Sequence, residues 1–203
     1  MLGALALGGA MPLRAQAVPR RLLVVGDSLS AEYGLRRGSG WVALLAERLA
    51  GRKPAVEVIN ASVSGDTTSG GRARLGALLQ RHRPTHVVIE LGGNDALRGM
   101  PLKHTEDNLV AMIQAAREAG AKVLLVGMQV PPNYGAAYTR DFAALFARVA
   151  QAQRTALVPF LLKGVADDPD PLRWFQADRI HPNEQAHPRI LENVWPVLRP
   201  WLD

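Results

Sequence analysis

Five apolar runs rich in valine, leucine and isoleucine alternate with longer amphipathic stretches along this chain, and that alternation leaves few folds open. Leu22–Val25, Val56–Ala61, His86–Leu91, Val123–Met128 and Ala156–Phe160 read as strands buried on both faces. Between them, Trp41–Leu49, Gly71–Arg81, Thr105–Ala119 and Thr139–Arg154 read as helices. Glu106 and Asp107 stand in the predicted first turn of the third helix, where the dipole favours acids, and Gly120 marks its end. A last helix is expected from Asn183 onward, kinked or interrupted by Pro188 and Pro196. Strands that alternate with helices build a parallel sheet covered on both faces. The expected fold is therefore α/β: a single-domain, three-layer α/β/α sandwich around a five-stranded parallel sheet. The length of 203 residues suits one such domain, and no repeat or linker divides it.

Composition narrows the function classes. Hydrophobic residues make up 48% and charged residues 21%, a globular profile. The net charge of +6 comes from cations scattered singly or in pairs, which reads as a solvated surface and not a nucleic-acid face. The chain has no cysteine, which excludes disulfides, thiolate catalysis and cysteine-bound zinc. Residues Leu2 to Met11 are small and apolar, and Ala15-Gln16-Ala17 is an A-x-A pattern before Val18. This resembles a secretory signal peptide, although no lysine or arginine precedes its apolar run; it is too short to span a bilayer. Residues 1–17 are thus expected to be removed and 18–203 to form the domain, in the periplasm or outside a bacterial cell.

In open parallel sheets, ligands bind beyond the carboxyl ends of the strands. The polar residues of this chain gather there: Gly26-Asp27-Ser28 after the first strand, Ser62-Val63-Ser64-Gly65-Asp66 after the second, Gly92-Gly93-Asn94-Asp95 after the third, and Asp178 and His181 beyond the last. Ser28 leaves the end of a buried strand, where it is either a nucleophile or the N-cap of a following helix. Asp178 stands three residues before His181, and one turn holds a carboxylate against an imidazole nitrogen at that spacing. Gly65 reads as a turn residue tolerant of positive φ, and Asn94 also suits a turn.

Taken together, Gly26-Asp27-Ser28-Leu29-Ser30, Gly65, Gly92-Gly93-Asn94-Asp95 and Asp178-Arg179-Ile180-His181-Pro182 resemble the four blocks of the SGNH (GDSL) hydrolases. Asn60-Ala61-Ser62, Ser64-Gly65-Asp66-Thr67, Glu90-Leu91-Gly92-Gly93-Asn94-Asp95, Leu97-Arg98-Gly99 and Pro131-Pro132-Asn133-Tyr134-Gly135 are similar to the bacterial arylesterase, thioesterase and lysophospholipase branch. The resemblance runs from about Arg20 to the C-terminus and implies a flavodoxin-like sheet order. It implies Ser28 as nucleophile, His181 as base and Asp178 as its partner, with an oxyanion hole from the N–H groups of Ser28 and Gly65 and the amide of Asn94. Asp27 and Asp95 belong to the same motifs and are expected to orient loops.

The implied activity is hydrolysis of acyl esters and thioesters with no metal and no organic cofactor. Leu97, Met100, Leu102, Tyr134, Trp174 and Phe175 are candidate walls of an acyl groove, each equally an ordinary packing residue. The segment Ala96–Leu102, with Gly99 inside it, is a candidate flap over substrate. The partners expected are a small acyl substrate and transient contact with membrane lipid, without nucleic acid, for a monomer. A carbohydrate O-acetylesterase shares the nucleophile block and is the rival enzyme; a non-catalytic binding module is the rival outside enzymes. The chain has no G-x-S-x-G, H-E-x-x-H or P-loop sequence. His82, His86 and His104 lack metal-ligand spacing and read as surface or loop residues. Asn60-Ala61-Ser62 forms a glycosylation sequon but reads as structural at a strand end.

Overall fold

The computed structural model describes residues 20–202. The expected processing site at Ala15-Gln16-Ala17 lies outside the described residues. The strands are β1 (Arg20–Gly26), β2 (Val56–Asn60), β3 (His86–Glu90), β4 (Lys122–Val126) and β5 (Ala156–Val158). The helices are α1 (Trp41–Leu49), α2 (Thr68–His82), α3 (Gly93–Leu97), α4 (Leu102–Glu118), α5 (Ala136–Ala152) and α6 (His187–Leu202). The five strands pair in the order β2-β1-β3-β4-β5, every pair parallel. Central β3 is buried throughout, as is β1 from Leu22 onward, whereas edge strand β2 exposes Glu57 and Asn60. That difference is why β1 and β3 read as unbroken apolar runs.

Right-handed crossovers put α1 on one face of this sheet and α2, α4 and α5 on the other. The packing agrees: α1 meets α6, while α2 packs on α4 and α4 on α5. The chain is thus the expected three-layer sandwich. Trp41 of α1 and Phe142 and Phe146 of α5 are among its largest fully buried side chains, with the two phenylalanine rings edge to face at 5.3 Å. Among the described residues no helix is long and apolar enough to cross a membrane.

Among the boundaries that differ from the sequence reading, three have a clear local reason. Helix α2 begins at Thr68, three residues early, because the Thr67 side chain accepts the Gly70 N–H and caps it. Helix α4 begins at Leu102, behind Pro101, so Glu106 and Asp107 fall beyond its first turn, and Asp107 pairs with Lys103 instead. Helix α6 is not interrupted: it runs from His187 through Pro196 and Pro200 to Leu202, with Pro188 in its first turn, where the missing N–H has no partner to lose.

Candidate active site

With the order β2-β1-β3-β4-β5, the chain leaves β1 toward one edge and β3 toward the other, so the loops after these neighbours part and open a crevice. Ser28 stands in the first of those loops and Asn94 in the second. No helix follows Ser28 directly; the next begins at Trp41, so the N-cap alternative falls. Instead the loop is a tight turn fastened by Asp27, whose carboxylate accepts the Leu29 N–H at 3.0 Å while its carbonyl accepts the Ala31 N–H at 2.9 Å. The turn also presses on the sheet. A Cβ at Gly26 would lie 2.7 Å from the Glu90 carboxylate, so this position has room only for glycine. Asn60, at the end of β2, donates its amide to the Ser30 carbonyl at 2.7 Å and accepts the Ser62 N–H at 3.1 Å, the structural role expected of it.

The loop beyond β5 brings Asp178 and His181 to Ser28. One Asp178 oxygen accepts the N–H groups of Ile180 and His181, each at 3.0 Å. Its other oxygen lies 2.7 Å from His181 Nδ1, and His181 Nε2 lies 2.9 Å from Ser28 Oγ. Partial burial pushes the Asp178 carboxyl up, but the bonds from the Ile180 N–H and from the His181 ring and N–H outweigh it and hold the pKa down to about 2. An ionised carboxylate can only accept, so Nδ1 carries the ring proton and Nε2 is left to accept from the Ser28 hydroxyl. The geometry is that of an activated serine.

The loops after β2 and β3 face the same serine from the other side. Gly65 is exposed with φ of +78°, a conformation that needs glycine, and the Arg98 guanidinium holds its carbonyl at 2.9 Å. Asn94 donates one amide hydrogen to Asp27 at 3.0 Å, which leaves the other to point elsewhere. Burial pushes the Asp27 carboxyl up to about 6 against the opposing Leu29 N–H and Asn94 amide. Asp95 is fully buried and accepts the Thr68 N–H at 2.9 Å and the Thr68 hydroxyl, which itself accepts the Asn108 amide at 3.1 Å. Asp27 and Asp95 therefore do what was expected of them: they fix the loops and helix that present Ser28 and Asn94.

Three residues here were given no role by the sequence reading, although Glu90 opens one of its motifs. Glu90 ends β3 fully buried, accepting the Ser30 hydroxyl at 2.6 Å and the Asp27 N–H at 3.4 Å. Burial and the neighbouring Asp27 push its carboxyl well above the usual range. Its signal was available: a lone acid closing an otherwise buried apolar run. Tyr33 lays its ring 4.3 Å from the ring of His181, and Gln176 donates to the carbonyls of Tyr33 and Pro182 at 2.8 and 3.0 Å. Neither has a sequence signature, because both act through loops that meet only in the fold.

A cavity of about 530 Å³ opens at Ser28, Asn94 and His181. Of the candidate groove residues, Leu97 and Phe175 line it, joined by Met128, Val130, Phe160 and Leu162. Met100, Leu102, Tyr134 and Trp174 do not. Leu102 packs against the core, and the Met100 carbonyl accepts from Tyr138 at 3.4 Å. The Trp174 ring packs against the guanidinium groups of Arg173 at 4.7 Å and Arg189 at 5.2 Å. Tyr134 stands at the surface. The segment Ala96–Leu102 is only partly a loop, since α3 extends to Leu97 and α4 starts at Leu102. His86 is not a surface residue: it is buried at the start of β3, where desolvation and nearby Lys122 hold its pKa below the ordinary value. Among the described residues no group of three or more His, Asp or Glu side chains is placed to hold a metal ion.

The chain is similar to known proteins along almost its whole length. Esterase TesA of Pseudomonas aeruginosa is 53% identical over 202 residues, which covers 98% of this chain and 99% of the relative. Thioesterase 1/protease 1/lysophospholipase L1 of Escherichia coli K12 is 41% identical over 179 residues, covering 88% and 83%. The crystal structure of TesA superposes with a TM-score of 0.84 at 55% identity, over 89% of this chain and 99% of that one. The model of the GDSL-like lipase/acylhydrolase family matches residues 24–189, a span that starts within β1 and ends past His181. The sheet, the serine turn and that match agree, and the chain belongs to the GDSL-like lipase/acylhydrolase family.

Proposed function

We propose that this chain is a serine esterase that hydrolyses acyl esters and thioesters, of the arylesterase, thioesterase and lysophospholipase type, by way of an acyl-enzyme. The observation that carries the reading is the relay from Asp178 to His181 to Ser28, at 2.7 and 2.9 Å, opening on an apolar cavity. Ser28 Oγ attacks the acyl carbonyl as His181 Nε2 takes its proton. The N–H groups of Ser28 and Gly65 and the free amide hydrogen of Asn94 receive the developing oxyanion. His181 then protonates the leaving alcohol or thiol, and water, activated by the same nitrogen, releases the acid.

A volume of about 530 Å³ lined by leucine, methionine and phenylalanine exceeds what an acetyl group fills and suits a longer acyl chain. That favours the lipid-like substrates over a carbohydrate O-acetylesterase. Transient lipid contact has its own support. The exposed large apolar side chains among the described residues are Tyr33, Val63, Leu97, Tyr134, Leu172 and Ile180. Each follows the carboxyl end of a strand, so they ring the mouth of the site. The reading also takes the enzyme as a monomer exported from a bacterial cell and cut after Ala17, two residues short of the start of β1. N-terminal sequencing of the exported protein tests the cut.

The deciding experiment compares the wild-type enzyme with Ser28→Ala on p-nitrophenyl esters from C2 to C16. Loss of hydrolysis in Ser28→Ala, with wild-type activity extending to C8 and beyond, is expected. Hydrolysis undiminished by Ser28→Ala overturns the serine mechanism; a wild-type protein that hydrolyses none of the esters is the binding module; activity confined to C2 transfers the chain to the acetylesterases.

A further inference from the structure

The tyrosine beside the proposed base is held too firmly to be an incidental neighbour. Its ring centroid lies 4.3 Å from that of His181, with the planes 38° apart, so the rings overlap by their faces and not edge to face. Both ends of the residue are tied. The Tyr33 N–H reaches the Ser28 carbonyl at 3.5 Å, and its own carbonyl accepts from Gln176 at 2.8 Å. Gln176 in turn fixes the histidine loop: its N–H donates to the His181 carbonyl at 2.8 Å and its side chain to the Pro182 carbonyl at 3.0 Å. Room for this amide depends on Gly34, where a Cβ would stand 2.1 Å from Gln176 Oε1 and where φ is +68°. One glutamine thus clamps the tyrosine and histidine loops face to face, although 148 positions separate Tyr33 from His181.

From this juxtaposition we propose that Tyr33 is a further positioning residue of the esterase, its ring a platform that stabilises the His181 imidazolium formed when Ser28 gives up its proton. The inference rests on His181 being the base. The chemistry follows from the charge distribution of an aromatic ring. Its face is negative, so a neutral imidazole at van der Waals distance gains little, whereas the imidazolium of the tetrahedral intermediate gains a cation–π attraction. An interaction that strengthens only as the charge appears lowers the barrier and not merely the ground state. Other charged groups near His181 are Asp178 and Arg179 on its own loop and Asp27 beneath the serine turn. Asp178 bonds the ring edge at Nδ1, which leaves the ring face to Tyr33. The tyrosine is 49% exposed, so its replacement opens no core cavity.

The test is steady-state hydrolysis of p-nitrophenyl butyrate by Tyr33→Phe, Tyr33→Leu and variants carrying phenylalanine with progressively more ring fluorines at position 33, each checked for an unchanged Tm. Tyr33→Phe is expected to stay within about twofold of wild type in kcat. Tyr33→Leu is expected to fall about 3- to 30-fold in kcat with little change in KM, the range of a partly exposed cation–π contact. Successive fluorines, which drain the ring face of negative charge at nearly constant shape, should lower kcat step by step. The proposal is overturned if Tyr33→Leu matches wild type or if Tyr33→Phe falls as far as Tyr33→Leu. A loss confined to KM, or no trend with fluorination, also overturns it. His181→Ala is the separate control: if that variant still hydrolyses the ester, the base assignment fails, whatever position 33 does.

Discussion

Asn94 shows how a single side chain can serve two masters, since one amide hydrogen is spent on Asp27 at 3.0 Å and the other is free for an oxyanion. Asn94→Ala removes the donor while leaving the serine relay intact. We expect kcat to fall by about 10²–10³ with KM nearly unchanged, the usual loss for one oxyanion donor, in steady-state assays on a short ester. If KM alone rises, Asn94 binds substrate instead.

The Asp27 carboxyl adds a pH signature. It is pushed up to about 6, so as pH falls through that value it takes up a proton and loses its hold on the Asn94 amide. The acid limb of log kcat/KM should therefore include a step near pH 6, and Asp27→Asn, which cannot titrate, should remove that step. An acid limb unchanged in Asp27→Asn would sever Asp27 from catalysis. At this scale the meeting of Ser28, Asn94, Asp178 and His181 was legible because their motifs name them together. The roles of Glu90, Tyr33 and Gln176 were not, because their work is done on other residues across loops distant in sequence.

At the scale of elements, the start of α1 depends on a residue from the far end of the chain. The Trp41 N–H, at the first position of that helix, donates to Nδ1 of buried His187, which opens α6. Only the neutral ring can accept there, and burial accordingly holds the His187 pKa down to about 4, against the opposing influence of Glu32, the Pro182 carbonyl and Glu184. The unfolded chain protonates its histidine near 6.5, before the folded one does. The stability His187 contributes is thus fully present above pH 6.5 and is lost as pH falls from there toward 4. His187→Gln, which can still accept the bond but does not titrate, should flatten the decline of unfolding free energy between pH 6.5 and 4 in urea titrations. Equal slopes for both proteins would mean that the ring is already charged in the fold.

Strand positions were read well because burial on both faces leaves an unbroken apolar run, as in Val87-Val88-Ile89. Helix starts were read less well. Thr67 and Pro101 set them by capping and by restricting the chain, and neither shows in the apolar period. The same gap explains the groove. Phe175 lines the cavity and adjacent Trp174 does not, a choice made by the arginines that stack on the indole and not by the hydrophobicity of either residue.

The molecule as a whole is polarised along its strands. The ends where the strands finish carry the reactive groups and the exposed large apolar side chains. The opposite ends carry Arg20 and Arg21 of β1 and Lys122 of β4. Among the described residues the exposed large apolar side chains all follow the strand ends that carry the cavity, and we expect this face to meet an amphiphile assembly first. Alternation along the sequence foretold the sandwich but not this polarity, because Val63 and Tyr134 lie in separate loops that only the sheet order brings to one end. Neither lines the cavity, so they separate docking from chemistry. Changing both, as Val63→Ser with Tyr134→Ser, should leave kcat/KM on monomeric p-nitrophenyl butyrate within about twofold. On lysophospholipid presented as micelles the same variant should lose about tenfold, since withdrawing two such side chains from an apolar phase forfeits more than 1 kcal/mol even when each is half engaged. Equal effects on the two substrates would place these side chains in the binding of a single acyl ester, and no effect on either would leave the apolar ring without a role at the lipid surface.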